Sequence, residues 1–286
     1  MRENMNEQLN KELSKGLSTK PGKESGKRLP SPGGSLILVN HDHPLQQDTT
    51  PCCVPILESY PAVTMERRAA ACLLQLLRAI NAGDEIVPVS GYRPFAEQVQ
   101  IYQDSLVENG ADFTAKYVAK PGCSEHQSGL AIDLAKKAPE IDFICPDFPE
   151  TGICGDFRKA ASRYGFIQRY TAEKEHITGI ACEPWHFRYV GYPHSEIMVQ
   201  MNFCLEEYID YLHGFTYAQP LTLRRGGRNI SVFFSEADMT VEAGETIETG
   251  KTNCKFANSP IDLRAADNIT EVSENNVDGC ITTVWN

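Results

Sequence analysis

The 286-residue chain has no run of the roughly 18–20 apolar residues that a membrane-spanning helix needs. Its longest helical apolar stretch, Ala69 to Ile80, is interrupted by Gln75 and Arg78. It is also short of basic charge. Its 27 Lys and Arg face 38 Asp and Glu, a net charge of −11. That balance excludes sequence-independent nucleic-acid binding, which needs a basic surface. The opening MRENMNEQLNKELSKGLSTK lacks an apolar stretch of the secretory type. No CxxC spacing occurs among Cys52, Cys53, Cys72, Cys123, Cys145, Cys154, Cys182, Cys204, Cys254 and Cys280. These absences lead to the expectation of a cytoplasmic protein whose cysteines are mostly free thiols, a disulfide such as Cys145–Cys154 being the lesser reading. No internal repeat is visible, and the sequence does not fix the oligomeric state.

What is present is enough to fill a core. Apolar residues make up 41% and aromatics 9%, which excludes full-length disorder. The length suits one large domain, or one domain with a small companion. Residues 1–34 are rich in Lys, Glu, Gly, Ser and Pro and read as a flexible leader. SLILVN, from Leu36, suits a strand. Thr64 can cap a helix running to about Ala82, with Gly83 beyond it; its apolar positions Ala69, Leu73, Leu76, Leu77 and Ile80 recur at three- and four-residue steps. EIVPVSGY reads as a strand, and Pro94 opens a helix from about Phe95 to Asn109. Leu130, Ile132 and Leu134 alternate with Ala131, Asp133 and Ala135, the period of a strand. Asp156 to Arg163 looks helical, HFRYVG alternates, and one long amphipathic helix is expected from about Ser195 to Leu212. After Tyr217 the short runs TLRRGGRNISVFF, MTVEAGETIETG and ITTVWN are of β type. The expected organisation is a leader (1–34), a main domain (35–217) and a small β-rich appendage (218–286).

Three strings concentrate reactive side chains: GYRPFAEQ, SEHQSGLAID and EPWH. A catalytic zinc takes three protein ligands and keeps a fourth position open. His126, Asp133 and His186 supply two nitrogens and one carboxylate oxygen. Asp133 points away from the Leu130/Ile132/Leu134 face, and Gly129 allows the sharp turn that returns His126 towards it. Glu183 stands three residues before His186, and a turn restrained by Pro184 would bring both to one side. There it could take a proton from water activated by the metal and pass it to the leaving amine. Arg93 suits a carbonyl oxygen that is becoming an oxyanion. Ser124 and Gln98 are neutral donors for a substrate carboxylate or amide.

GYRPFAEQ, PGCSEHQSGLAIDL and ITGIACEPWHFRYVGYPHS resemble the zinc D,D-peptidases of vancomycin resistance, of the VanY, VanX and VanXY types. NHDHPL and MNFCLEEYIDYL resemble the bifunctional VanXY subgroup. The resemblance spans about residues 36–216. It implies an α+β fold, a small antiparallel sheet flanked by helices and carrying one zinc, with a small C-terminal all-β appendage. It implies His126, Asp133 and His186 as zinc ligands, Glu183 as base, Arg93 as transition-state stabiliser, and Ser124 and Gln98 as contacts for a terminal D-alanine. The implied substrates are D-Ala-D-Ala and peptidoglycan precursors ending in it, cut by a carboxypeptidase that can also act as a dipeptidase. The rivals are a lytic L,D-endopeptidase and a non-catalytic zinc-stabilised binding module.

Plainer readings stand beside the other conspicuous residues. His41 and His43 read as loop or strand-edge residues, and His176, His194 and His213 as surface ones. Cys123 and Cys182 flank the proposed site but read as packing, and Trp185 as a support behind His186. Glu206 and Glu207 read as a solvated helix face, and Phe95, Val99 and Tyr102 as core.

Overall fold

The apolar residues spaced by three and four after Glu66 do form a helix, but it starts later than Thr64. In the computed structural model, which describes residues 33–45, 50–236 and 269–286, Cys53–Pro55 (β1) pairs antiparallel with Thr64–Glu66 (β2). The ladder therefore takes Thr64, and the helix Arg67–Ala79 (α1) is capped by Glu66. Its carboxylate accepts the N–H groups of Arg68 and Ala69 at 2.9 and 3.0 Å. The described residues fall within one unit, Ser31–Asn286.

Ile86–Ser90 (β3) is followed by the helices Phe95–Glu108 (α2) and Ala111–Tyr117 (α3), the second not anticipated from sequence. Then come Ala131–Lys136 (β4), the helix Gly152–Ala161 (α4), Phe166–Gln168 (β5), the single turn Glu175–Thr178 (α5) and His186–Tyr189 (β6). The fold is α+β. Its main sheet is antiparallel throughout, in the order β3-β4-β6-β5. Period-two alternation gives the sheet two unlike faces. One face carries Ile132, Leu134, Phe166, Phe187 and Tyr189 into a core completed by Ala69, Leu73 and Leu76 of α1 and Phe157 of α4. The opposite face carries Asp133, His186 and Arg188. A bulge between Pro88 and Ser90 shifts the β3 register so that Ser90 lies opposite Asp133.

Several expectations are corrected. Leu36 to Val39 are buried but join no ladder; Leu38 N–H donates to the Asn275 carbonyl at 2.9 Å, and Arg188 takes the carbonyls of Ser35 and Ile37. The helix expected from Asp156 starts at Gly152 instead. The long helix expected from Ser195 is two helices, His194–Met201 (α6) and Leu205–Leu212 (α7). Asn202, left-handed at φ 52°, closes the first, and the Glu207 carboxylate accepts the Cys204 N–H at 2.9 Å to open the second. His194 is not at the surface. It is buried between Tyr208 Oη at 2.8 Å and Thr283 Oγ1 at 3.0 Å, and burial pushes its pKa down to about 3.

Leu221–Arg225 (β7), Arg228–Glu236 (β8), Ile269–Glu274 (β9) and Gly279–Trp285 (β10) form a second antiparallel sheet in the order β7-β8-β10-β9. Ile230, Val232, Ile281 and Trp285 pack with Leu205, Tyr208 and Leu212 of α7. MTVEAGETIETG and the leader up to residue 32 lie outside the described residues. Among the described residues no helix is long and apolar enough to cross a membrane.

Glu206 is likewise not a solvated residue. It forks the guanidinium of Arg169, just past β5, at 2.9 and 2.7 Å. Burial opposes its charge, but the Arg169 guanidinium holds the carboxyl below the usual carboxylate range. Such a carboxylate contributes stability above its unfolded pKa of about 4.3 and loses it as pH falls through its lower folded value. Glu206→Gln should therefore cost about 3 kcal/mol in urea unfolding at pH 7. The gap from the natural chain should start to narrow below about pH 4 and close once pH falls below the lowered folded value, where the natural chain loses its charge too. A gap that is absent at pH 7, or unchanged at pH 3, would show that the pair contributes nothing.

Candidate metal centre

His126 lies in a single 3₁₀ turn, Glu125–Ser128, which Gly129 closes at φ +72°. A side chain on Gly129 would stand 2.9 Å from Cys53 Sγ and 3.2 Å from the Glu66 nitrogen, so the turn is pressed against β1 and β2. The chain then enters β4, where Asp133 sits directly across from His186 of β6. His186 ends the turn expected from Glu-Pro-Trp-His: its N–H donates to the Glu183 carbonyl at 3.3 Å. Arg158 steadies that turn by donating to the carbonyls of Pro184 and Phe148, both at 2.6 Å.

The three expected ligands converge. His126 Nε2 is 3.0 Å from Asp133 Oδ2, and His186 Nδ1 is 2.9 Å from Asp133 Oδ1. One donor atom from each residue lies within 4.8 Å of the others, and all three residues are buried. The far side of each ring identifies its tautomer. His126 Nδ1 is 2.7 Å from the Gly91 carbonyl, which only accepts, so Nδ1 carries the hydrogen. His186 Nε2 faces the Glu125 carboxylate at 3.5 Å, so there Nε2 carries it. The remaining nitrogen of each ring faces Asp133, placed either to donate to its carboxylate when the ring is doubly protonated or to offer a lone pair to a cation when it is not. A cation in place of those hydrogens would be held by the same two nitrogens and the same carboxylate. Ligand atoms around a tetrahedral zinc stand about 3.3 Å apart, close to the spacings here. The donor set fits a zinc ion with an open fourth position.

The other expected residues surround this point. Glu183 is buried, with Oε2 3.7 Å from His186 Nδ1. Burial pushes its carboxyl up to about 8; Asp133 and Glu125 add to the shift, while His186 and Arg93 oppose it. Arg93 is fixed by Gln98 Oε1 at 2.8 Å and Ser90 Oγ at 2.7 Å, and comes within 3.9 Å of Asp133. Its Nε is buried without a hydrogen-bond partner. Gln98 donates one amide hydrogen to the Ala119 carbonyl at 2.7 Å. Ser124, Gln98, Arg93 and Glu183 line one cleft with the three ligands. Phe143 and Ile144 on one loop, Ile180 on another and Trp185 line it as well.

Sequence reasoning missed a layer behind the ligands. Glu125, one residue before His126, is buried with Arg169 and Arg188 both at 2.8 Å from its Oε1. Tyr170 lies tilted against the His186 ring, with centroids 4.9 Å apart. Arg188 was legible: two residues after His186 on a strand, it must share that residue's face. Arg169 and Tyr170 carry no such signal.

Residues 62–192 match the VanY family, D-alanyl-D-alanine carboxypeptidase. The chain is 44% identical over 183 residues to the bifunctional D-Ala-D-Ala dipeptidase and D-Ala-D-Ala carboxypeptidase VanXYC of Enterococcus gallinarum, covering 62% of this chain and 95% of that protein. The chain belongs to the VanY family. Like the rest of that family it is a metallopeptidase. Among solved structures it resembles the vancomycin-resistance D,D-dipeptidase VanXYg in complex with a D-Ala-D-Ala phosphinate analogue. The TM-score is 0.77 at 41% identity, over 88% of this chain and 94% of that one. It also resembles a mutant of the D,D-pentapeptidase VanY from a VanB-type cassette, in complex with Zn(II), with TM-score 0.50 at 31% identity, over 61% and 98% of the two chains.

Gly129→Ala should destabilise this VanY-family chain by about 2 kcal/mol, because alanine is strained at φ +72° and meets Cys53. Thermal unfolding reads that loss. Zinc titration of the folded fraction should also weaken, since the turn carries His126; unchanged stability would mean the turn relaxes freely.

Proposed function

We propose that this protein is a zinc-dependent D,D-peptidase that removes the terminal D-alanine from peptidoglycan-precursor peptides ending in D-Ala-D-Ala, and that it also splits the free dipeptide. Its effect would be to withdraw D-Ala-D-Ala termini, the target of vancomycin. The observation that carries this reading is the convergence of two imidazole nitrogens on Asp133 within a cleft that also holds Glu183 and Arg93. The relatives' activities support it.

His126, Asp133 and His186 would hold the metal. A zinc ion bound there polarises the scissile carbonyl and acidifies water. Glu183, buried beside the proposed ligands, takes a proton from the attacking water when its carboxyl is ionised. The water oxygen bonds to the carbonyl carbon, and the negative charge that grows on the carbonyl oxygen faces the Arg93 guanidinium. Gln98 and Ser90 keep that guanidinium in place. The C–N bond then breaks, and Glu183 returns its proton to the departing D-alanine amine. Ser124 and the second amide hydrogen of Gln98 receive the D-alanine carboxylate. Convergence of Glu183 and Arg93 on the ligands argues against a non-catalytic zinc module. The nine described cysteines are all free, which supports a reducing, cytoplasmic setting.

Purified protein incubated with D-Ala-D-Ala, or with a pentapeptide ending in it, should release D-alanine, and a chelator should abolish the release. No metal-dependent release from either substrate rejects the reading. Glu183→Gln should retain zinc and lose about two to four orders of magnitude in turnover. Full activity in that variant would remove Glu183 from the mechanism.

A further inference from the structure

Each proposed histidine ligand is held from behind, but by different groups. His126 rests on a backbone carbonyl, which every residue supplies. His186 rests on Glu125, whose carboxylate accepts a hydrogen bond and carries a full negative charge as well. The Glu125 side chain is wholly buried. Both arginines that approach it, Arg169 through Nε and Arg188 through Nη1, bind the same oxygen, Oε1. The second oxygen, Oε2, is turned to His186 Nε2. Arg169 is itself forked from the other side by Glu206, and Asn40 donates to Glu206 at 3.2 Å. Two glutamates and two arginines sum to zero charge, so the cluster tolerates burial without neutralising Glu125.

We propose that Glu125 is a positioning residue for the metal centre: its Oε2 fixes the hydrogen of His186 on Nε2, and thereby delivers the Nδ1 lone pair to the cation. The two arginines on Oε1 keep the carboxylate ionised and its plane fixed. Without this hold the imidazole can exchange tautomers, and with hydrogen on Nδ1 it no longer ligates. The negative charge also makes the imidazole a stronger donor. Glu125 lines the cleft but is not one of the three converging donors, and the role proposed for it runs through His186. The inference rests on the zinc-peptidase reading, because it assigns a role towards that metal.

The test uses the full-length protein and needs no substrate. Zinc affinity is measured by competition with a chromophoric chelator for the natural chain, Glu125→Gln and Glu125→Asp. The aspartate keeps the charge between the arginines but is one methylene short of His186. Both variants should bind zinc about 10- to 100-fold more weakly. Among the seven imidazoles in a long-range ¹H–¹⁵N spectrum of the zinc-loaded natural protein, His186 should be protonated at Nε2 and His126 at Nδ1. In the variants the Nε2–H signal of His186 should broaden or be lost. Thermal unfolding of the chelator-treated proteins separates the purely structural alternative. If unfolding shifts while zinc affinity and the tautomer stay within about twofold of the natural chain, Glu125 is only a counter-ion for buried arginines and the proposal is overturned. If the glutamine variant does not fold, the aspartate variant decides alone. Failure of the natural chain itself to bind zinc would overturn the metal reading, and this inference with it.

Discussion

The register of two short strands determines most of this molecule's chemistry. Asp133 on β4 lies directly opposite His186 on β6, and one-residue slippage would turn either side chain into the core. The register is defended by the other face of the same pair. Ile132 faces Phe187 across the ladder, and both are locked into the core beneath α1 and α4. Hydrophobic packing on one side of the sheet thus fixes the distance between two proposed ligand atoms on the other. The third ligand is brought by a turn that is itself pressed against β1 and β2 at Gly129. None of the three ligand side chains depends on a long flexible loop for its position, as a centre that must hold donors within a few tenths of an ångström requires.

Behind the ligands the protein maintains an expensive polar layer. Buried charges are costly unless each has a partner, and here every one does: Glu125 has two arginines, Arg169 has two glutamates, and Arg188 adds the carbonyls of Ser35 and Ile37. This layer joins the metal centre to α7 and to the segment before residue 45. It explains why Leu36 to Asn40 runs through the interior without joining a sheet: the Ile37 carbonyl and the Asn40 amide are taken by the charged cluster, the Leu38 carbonyl accepts from Asn276, and the Leu38 N–H donates to the Asn275 carbonyl rather than to a neighbouring strand.

The sequence makes the ligand triad and the Glu-Pro-Trp-His turn legible, because each rests on local geometry: alternation for Asp133, a glycine for the return of His126, a proline for Glu183. Helix boundaries were less legible. Thr64 has the chemistry of a cap, but a strand partner upstream, Pro55, claims it, and nothing near Thr64 reports that pairing. The break at Asn202 could have been weighed, since asparagine tolerates the left-handed region, yet the apolar pattern runs on through it. His194, Glu206 and Glu125 were misjudged or overlooked for one shared reason. Each is a polar residue whose partner lies far away in sequence: Thr283 for His194, Arg169 for Glu206, and Arg169 and Arg188 for Glu125. A single sequence ranks such residues as surface because burial without a visible partner is unfavourable.

The cleft combines a permanently charged group and a carboxyl of raised proton affinity around the same few ångströms, and the sheet explains how they coexist. Arg93 and Glu183 approach the ligands from opposite ends of the ladder, Arg93 after β3 and Glu183 before β6. Had they met directly, the guanidinium would have held Glu183 ionised and made it a poor proton donor to a leaving amine. Asp133 lies 3.9 Å from Arg93, and although Arg93 also favours the charged form of Glu183, burial of Glu183 outweighs it. The arrangement separates two tasks that compete for one cation. Asp133 stays an anion, as the proposed metal ligand must, and Glu183 stays the carboxyl of higher proton affinity, as the proposed proton carrier must.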